Sequence, residues 1–327
     1  MKIAIIGSGV YGIAMATSLS QNIGNEISIW CESEESKARI AGERNAFKAL
    51  DNICIPPSIK FSTRYEEVLD GATLVFIMVA SKYVSSVVQD MKTFIKDKQI
   101  IVVGTKGLNS TYSFAFEEVK EVLNNPLAVI SGGNFALDLA ALHPQGLTVA
   151  TENIETFNKV KEAYKNTPIT LEYSNDLYGT ALGGAIKNVF ALGSGIIDGM
   201  GYSDSTRSLF LTLGINEIKR LLPLIGGNIT SLTNFALFGD FVMTATSTKS
   251  RNYSYGKLIG EKKYEEAEDF KNKNTVEGIE SIEYFYNYLK KKNIDSKLIN
   301  FLYEYIIEKN YDYKKFCETL QTLKNTD

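Results

Sequence analysis

Short apolar runs alternate with amphipathic segments through the first half of the chain. Runs at 2–6, 26–30, 74–79, 99–104, 127–131, 147–150 and 169–173 predict strands, and helical periodicity lies between most of them, as at 83–96 and 111–123. The run Leu74-Val75-Phe76-Ile77-Met78-Val79 shows no polar alternation. That is the pattern of a strand covered on both faces, as in a parallel sheet flanked by helices. The segment 45–62 holds Pro56-Pro57 and little periodicity, and it is expected to be a loop. Near Asp176 the character changes. Beyond it strand-like runs are few and 3.6-residue periodicity dominates, at 181–198, 205–222 and 276–291. The pattern predicts an α/β chain: a mostly parallel sheet domain over residues 1–175, then an all-α domain over 176–327.

Composition narrows the function. Of 327 residues, 44% are hydrophobic and 22% charged, as in ordinary globular proteins. A net charge of −3 speaks against the phosphate backbone of nucleic acid as a partner. Cys31, Cys54 and Cys317 are odd in number and scattered, which fits a reducing compartment, and a cytoplasmic location is expected. The run Ile3-Ala4-Ile5-Ile6 is short and broken by Gly7, so it reads as a strand and not a leader. The apolar stretch 74–80 is too short to cross a bilayer, so no membrane span is expected. No metal-ligand cluster is visible. The one histidine, His143, precedes Pro144 in a helix-ending turn and carries no expected role.

The candidate chemistry begins at Gly7-Ser8-Gly9-Val10-Tyr11-Gly12. This G-x-G-x-x-G follows the first predicted strand directly and opens a helical pattern, the setting of a dinucleotide-binding loop. It makes the first domain Rossmann-type. Glu32 lies twenty residues past Gly12, at the end of the second strand. An acid there accepts hydrogen bonds from ribose hydroxyls and repels a 2′-phosphate, so NAD(H) is favoured and NADP(H) stays open.

Further segments follow in order: Gly104-Thr105-Lys106-Gly107-Leu108, Ser131-Gly132-Gly133-Asn134-Phe135-Ala136, Gly184-Ala185-Ile186-Lys187-Asn188-Val189 and Ser250-Arg251-Asn252. Together with the glycine loop they resemble the NAD(P)-dependent glycerol-3-phosphate dehydrogenases of bacteria. The resemblance runs from Lys2 to about Gly278. It implies reversible reduction of dihydroxyacetone phosphate to sn-glycerol 3-phosphate, a glycerophospholipid precursor, in a cleft between the two domains of a homodimer. It implies Lys187 as the acid/base, with Lys106 touching substrate and cofactor. Gly132, Asn134, Asp240, Ser250, Arg251 and Asn252 would hold substrate. Val10, Tyr11, Ala136, Arg251, Thr275 and Glu277 would border the dinucleotide, alongside Gly7, Gly9, Gly12 and Glu32. The chain departs from the family pattern at Val10, Gly133, Leu213 and Phe238, none of which is a proposed catalytic group.

Those residue types suit the chemistry. Hydride addition to a ketone develops negative charge on oxygen, which a buried ammonium stabilises and then protonates. Leu182, Ala185, Ile186, Val189 and Phe190 surround Lys187 with apolar side chains, so a charge without a task there would carry a desolvation cost. Asn188, next to it on a helix, turns to another face and is expected to brace structure. Arg251 offers a planar donor fork for phosphate, though a carboxylate would also suit it. A related lysine-dependent β-hydroxyacid or ketopantoate-type reductase is therefore the alternative. The run 244–248 ahead of Arg251 is expected to be a polar loop.

Overall fold

A computed structural model describes residues 1–248 and 250–322. The seven predicted strands form, with slightly shifted ends, and an eighth joins them: β1 Lys2–Ile6, β2 Glu26–Trp30, β3 Lys60–Ser62, β4 Leu74–Ile77, β5 Ile100–Val103, β6 Leu127–Ser131, β7 Gln145–Ala150 and β8 Ile169–Ser174. They make one sheet in the order β3-β2-β1-β4-β5-β6-β7-β8. Pairing is parallel from β3 to β6, antiparallel between β6 and β7, and parallel again between β7 and β8. Every residue of β4 and β5 is buried, as continuous apolar runs require when helices cover both faces.

Three expectations change. The segment 45–62 is not all loop: β3 ends it and pairs with β2 as an edge strand. Only three residues long and opening on an exposed lysine, β3 carries almost no periodicity to detect. The predicted helix at 111–123 starts only at Ala115, because the residues before it close a small hairpin through a bridge between Leu108 and Phe114. The expected polar loop at 244–248 is helical as far as Thr246.

From Leu177 to Thr322 the described elements are all helical. The helix Leu177–Gly199 runs through their centre, with Asp176 capping it by accepting from Gly179 N at 2.9 Å. By length and composition it could cross a membrane, which the apolar stretch 74–80 did not suggest, but 89% of its apolar window is buried inside the molecule. It lies against the helix Arg251–Gly260 with no room for side chains between the two backbones. A Cβ on Gly195 would come within 2.0 Å of Tyr253 O, and one on Gly256 within 2.1 Å of Leu192 O. Glycines on both helices therefore set their separation.

Candidate active site

The carboxyl ends of β1, β2, β5 and β6 open on one crevice, where ligands of open parallel sheets bind. After β1 the chain turns through the glycine loop into the helix Val10–Leu19. Gly7 has a φ of +121°, and a Cβ on Gly12 would lie 2.2 Å from the Gly7 carbonyl oxygen, so neither position admits a side chain. Gly9 differs: a Cβ there would meet nothing within 4 Å. It is also the N-cap of the helix and supplies no side-chain cap, so first-turn N–H groups are available to an anion. These features fit a bound pyrophosphate. Val10 stands 40% exposed at the mouth, and Ala136 begins a short helix packed beside the first.

Glu32 follows β2 at the rim of the loop. Its Oε2 accepts from Ser8 Oγ at 3.0 Å, and its Oε1 accepts from Ser36 Oγ. These bonds, Ser36's foremost, hold the carboxyl below its usual range. Glu32 is thus an oriented anion beside the glycine loop. Ser8 and Ser36 were not picked out from sequence, since a serine's partner across two loops has no linear signal.

The candidate reactive centre joins three charged side chains. Asp240, fully buried, accepts from Lys187 Nζ at 2.8 Å through Oδ1 and from Lys106 Nζ at 2.7 Å through Oδ2. Lys106 Nζ also donates to Gly132 O at 2.8 Å, and Thr244 Oγ1 donates to Asp240 Oδ1 at 3.3 Å. Thr244 sits one helical turn after Asp240, a spacing that sequence reasoning overlooked. Close approach makes the cluster feasible. A Cβ on Gly184 would lie 3.0 Å from Lys106 Cβ, and one on Gly133 would lie 2.8 Å from Gly239 O. Burial pulls the Lys187 ammonium below its ordinary range, with Lys106 adding to that and Asp240 opposing it. The half-buried Tyr11 ring lies 5.9 Å from Lys106 Nζ; burial first, then Asp240, pushes its phenol well up.

The remaining candidates divide. Asn188 Nδ2 donates to Glu277 Oε2 at 3.1 Å, Asn252 Nδ2 donates to Asn188 Oδ1 at 2.9 Å, and Gly278 N donates to Asn252 Oδ1 at 2.8 Å. Asn188 and Asn252 are thereby engaged in a buried amide chain that ties three helices together. Ser250 caps its own helix by accepting from Tyr253 N at 3.4 Å. Arg251 is exposed, and its guanidinium has no hydrogen bond or ion pair among the described residues. Thr275 is exposed just ahead of Glu277. Asn134 Nδ2 donates to Gln145 Oε1 at 2.6 Å, while its buried Oδ1 has no partner among the described residues. His143 is exposed beside Asp138, outside the crevice. Among the described residues no group of metal-ligating side chains occurs.

Comparison with known proteins agrees along the chain. The family model described as NAD-dependent glycerol-3-phosphate dehydrogenase N-terminus matches residues 2–157, and its C-terminus counterpart matches 176–318. A Fusobacterium nucleatum protein named glycerol-3-phosphate dehydrogenase [NAD(P)+] is 34% identical over 304 residues, covering 91% of this chain and 90% of that protein. The crystal structure of glycerol-3-phosphate dehydrogenase from Coxiella burnetii superposes with a TM-score of 0.87 at 29% identity, covering 98% of each chain. A ketopantoate reductase from Ralstonia eutropha, at 13% identity and a TM-score of 0.60, shares the fold alone; the match covers 94% of this chain and 98% of that one.

Proposed function

The chain belongs to the NAD-dependent glycerol-3-phosphate dehydrogenase family, and on that premise we propose how its residues carry the reaction. It is an oxidoreductase that interconverts dihydroxyacetone phosphate and sn-glycerol 3-phosphate with NAD(P)(H). The observation that carries the mechanism is one buried carboxylate gripping two ammonium groups at 2.7 and 2.8 Å.

The nicotinamide, when bound, supplies the hydride that adds to substrate C2. Everything else falls to the chain's own groups. Lys187 Nζ donates its proton to the C2 oxygen as charge develops there, and takes it back in the reverse direction. Its depressed pKa eases both transfers. Asp240 orients Lys187 and Lys106 together, and Lys106 leaves a local excess of positive charge for an anionic substrate. Arg251, with no protein partner of its own among the described residues, receives the phosphate, aided by the first-turn N–H groups that the Ser250 cap on Tyr253 N does not engage. Asn252 acts behind that site, holding helices instead of substrate.

At the other end, Gly7, Gly9 and Gly12 shape the pyrophosphate cradle and Glu32 receives the adenine ribose, so NADH is the preferred cofactor. Support for that preference comes from the clamp of Ser8 and Ser36 on its carboxylate. The protein works as a homodimer: Phe235, Phe238 and Val242 are exposed large apolar side chains close together in the chain, suited to a second copy. NADH oxidation with dihydroxyacetone phosphate, run beside NADPH and beside ketopantoate and 3-hydroxyisobutyrate, tests the reaction and the cofactor preference. Turnover confined to either of the last two would overturn it.

A further inference from the structure

The loop that delivers Lys106 is a latched hairpin. It leaves Gly107 at a φ of +89° and closes through the bridge between Leu108 and Phe114. Inside it, Asn109 Oδ1 accepts from Thr111 N at 3.0 Å, from Thr111 Oγ1 at 2.8 Å and from Ser113 N at 3.1 Å. Asn109 Nδ2 instead donates out of the hairpin, to Oε1 of Glu118 on the helix Ala115–Val122. Glu118 is only 8% exposed, and its Oε2 has no partner among the described residues. Burial, with Glu121 second, pushes its carboxyl above the usual range. Such a group costs stability; a leucine would fill the same volume without burying a carboxyl, but it would leave the Asn109 amide donor without its acceptor.

We propose that Glu118 is a positioning residue for Lys106: by fixing the Asn109 turn, three residues downstream, it holds Lys106 Nζ where Asp240 and the Gly132 carbonyl both accept from it. The far side of the hairpin is held differently, by packing. The Tyr112 ring lies 6.2 Å from Tyr284 and the Phe114 ring 5.4 Å from Tyr288, both on the helix Glu277–Lys291. Without the Glu118 bond the hairpin keeps its internal bonds and its aromatic contacts, yet its near strand is free to pivot about Gly107. Lys106 then loses its aim.

The inference rests on Lys106 acting in the site, so its test carries a Lys106→Met arm. Glu118→Ala, Glu118→Leu and Glu118→Gln are compared in the full chain for NADH-dependent reduction of dihydroxyacetone phosphate and for melting temperature. The KM for dihydroxyacetone phosphate is expected to rise roughly tenfold in the Ala and Leu variants, the scale of a sub-ångström misplacement. It stays near wild type in the Gln variant, whose amide oxygen still accepts from Asn109. The Leu variant keeps the helix packed but leaves the Asn109 amide without its acceptor, so the Gln variant, which retains that acceptor, separates aiming from packing; the Leu variant carries the test should the Ala variant fail to fold. A wild-type KM in a folded Leu or Ala variant overturns the proposal. An unchanged KM in Lys106→Met overturns the reading of Lys106 instead.

Discussion

Lys187 lies largely buried among apolar side chains on the central helix, and among the described residues its acceptor is a carboxylate shared with Lys106. Lys187→Ala removes the proposed proton donor and leaves the cofactor cradle untouched. Reduction is expected to slow by about 10²–10⁴-fold in kcat, while NADH binding, read by fluorescence titration, persists. The direction of its pKa shift fixes a pH dependence. With Lys187 as the proposed acid/base, reduction needs the ammonium form, so the rate is expected to fall as pH rises through the depressed pKa, earlier than an ordinary lysine would allow; oxidation needs the amine and is expected to gain over the same interval. The unfolded chain binds more protons than the folded one between the depressed and the ordinary pKa, so Lys187 makes folding stability rise with pH there. Opposed pH profiles for the two directions check this. Glu32 offers a separate test: Glu32→Arg replaces an anion clamped by Ser8 and Ser36 with a cation. The ratio of kcat/KM for NADH over NADPH should fall at least tenfold, about 1.4 kcal/mol. An unmoved ratio means that Glu32 does not face the ribose.

Whole elements carry a different kind of constraint. The central helix and the helix Arg251–Gly260 touch through glycine, so Gly256→Ala thrusts a methyl toward the Leu192 carbonyl, 2.1 Å away. Overpacking of this kind costs roughly 1–3 kcal/mol, measurable by urea unfolding, and it displaces the helix that bears Lys187. What the sequence made legible follows the same division. Apolar runs such as β4 and β5 betray themselves because burial on both faces leaves no polar position. The glycine loop stood out by residue type and spacing, whereas Lys106, Lys187 and Asp240 came forward through the family resemblance, Lys187 helped by its apolar neighbours. By contrast, β3 is too short for a period to show, and the 108–114 hairpin depends on an Asn109–Glu118 bond whose partners lie on separate elements. The resemblance implies Asn252 as a substrate ligand, and no linear signal shows its two buried partners, Asn188 and Gly278, which lie 64 and 26 residues away in the chain.

The molecule as a whole couples sheet and helices through the crevice that both line. Ligand bound there stabilises the folded chain by mass action, about 2.7 kcal/mol at a hundred times Kd. Gly9 gives a clean control, because its backbone, at φ −64° and ψ 168°, suits any residue and its Cβ direction is empty. Gly9→Val should leave the ligand-free melting temperature unchanged and abolish the rise produced by NADH. A retained rise would place the dinucleotide elsewhere.

The reversal of direction at β7 also works as a ruler. Because β7 and β8 run against the other strands, β8 ends at the opposite edge of the sheet from the crevice, and the central helix starts there at Leu177. At 1.5 Å per residue, ten residues of helix climb roughly 15 Å, about the length of a five-residue strand, and the tenth residue after Leu177 is Lys187. The sheet's thickness along its strands is thus counted out in helix turns. Inserting one residue between 177 and 187 would swing the ammonium about 100° around the helix, off the crevice altogether. Insertions in the connection between β7 and β8 would leave that measure intact. Over evolutionary time, length variation should therefore gather in the connection and be absent from the ten-residue climb.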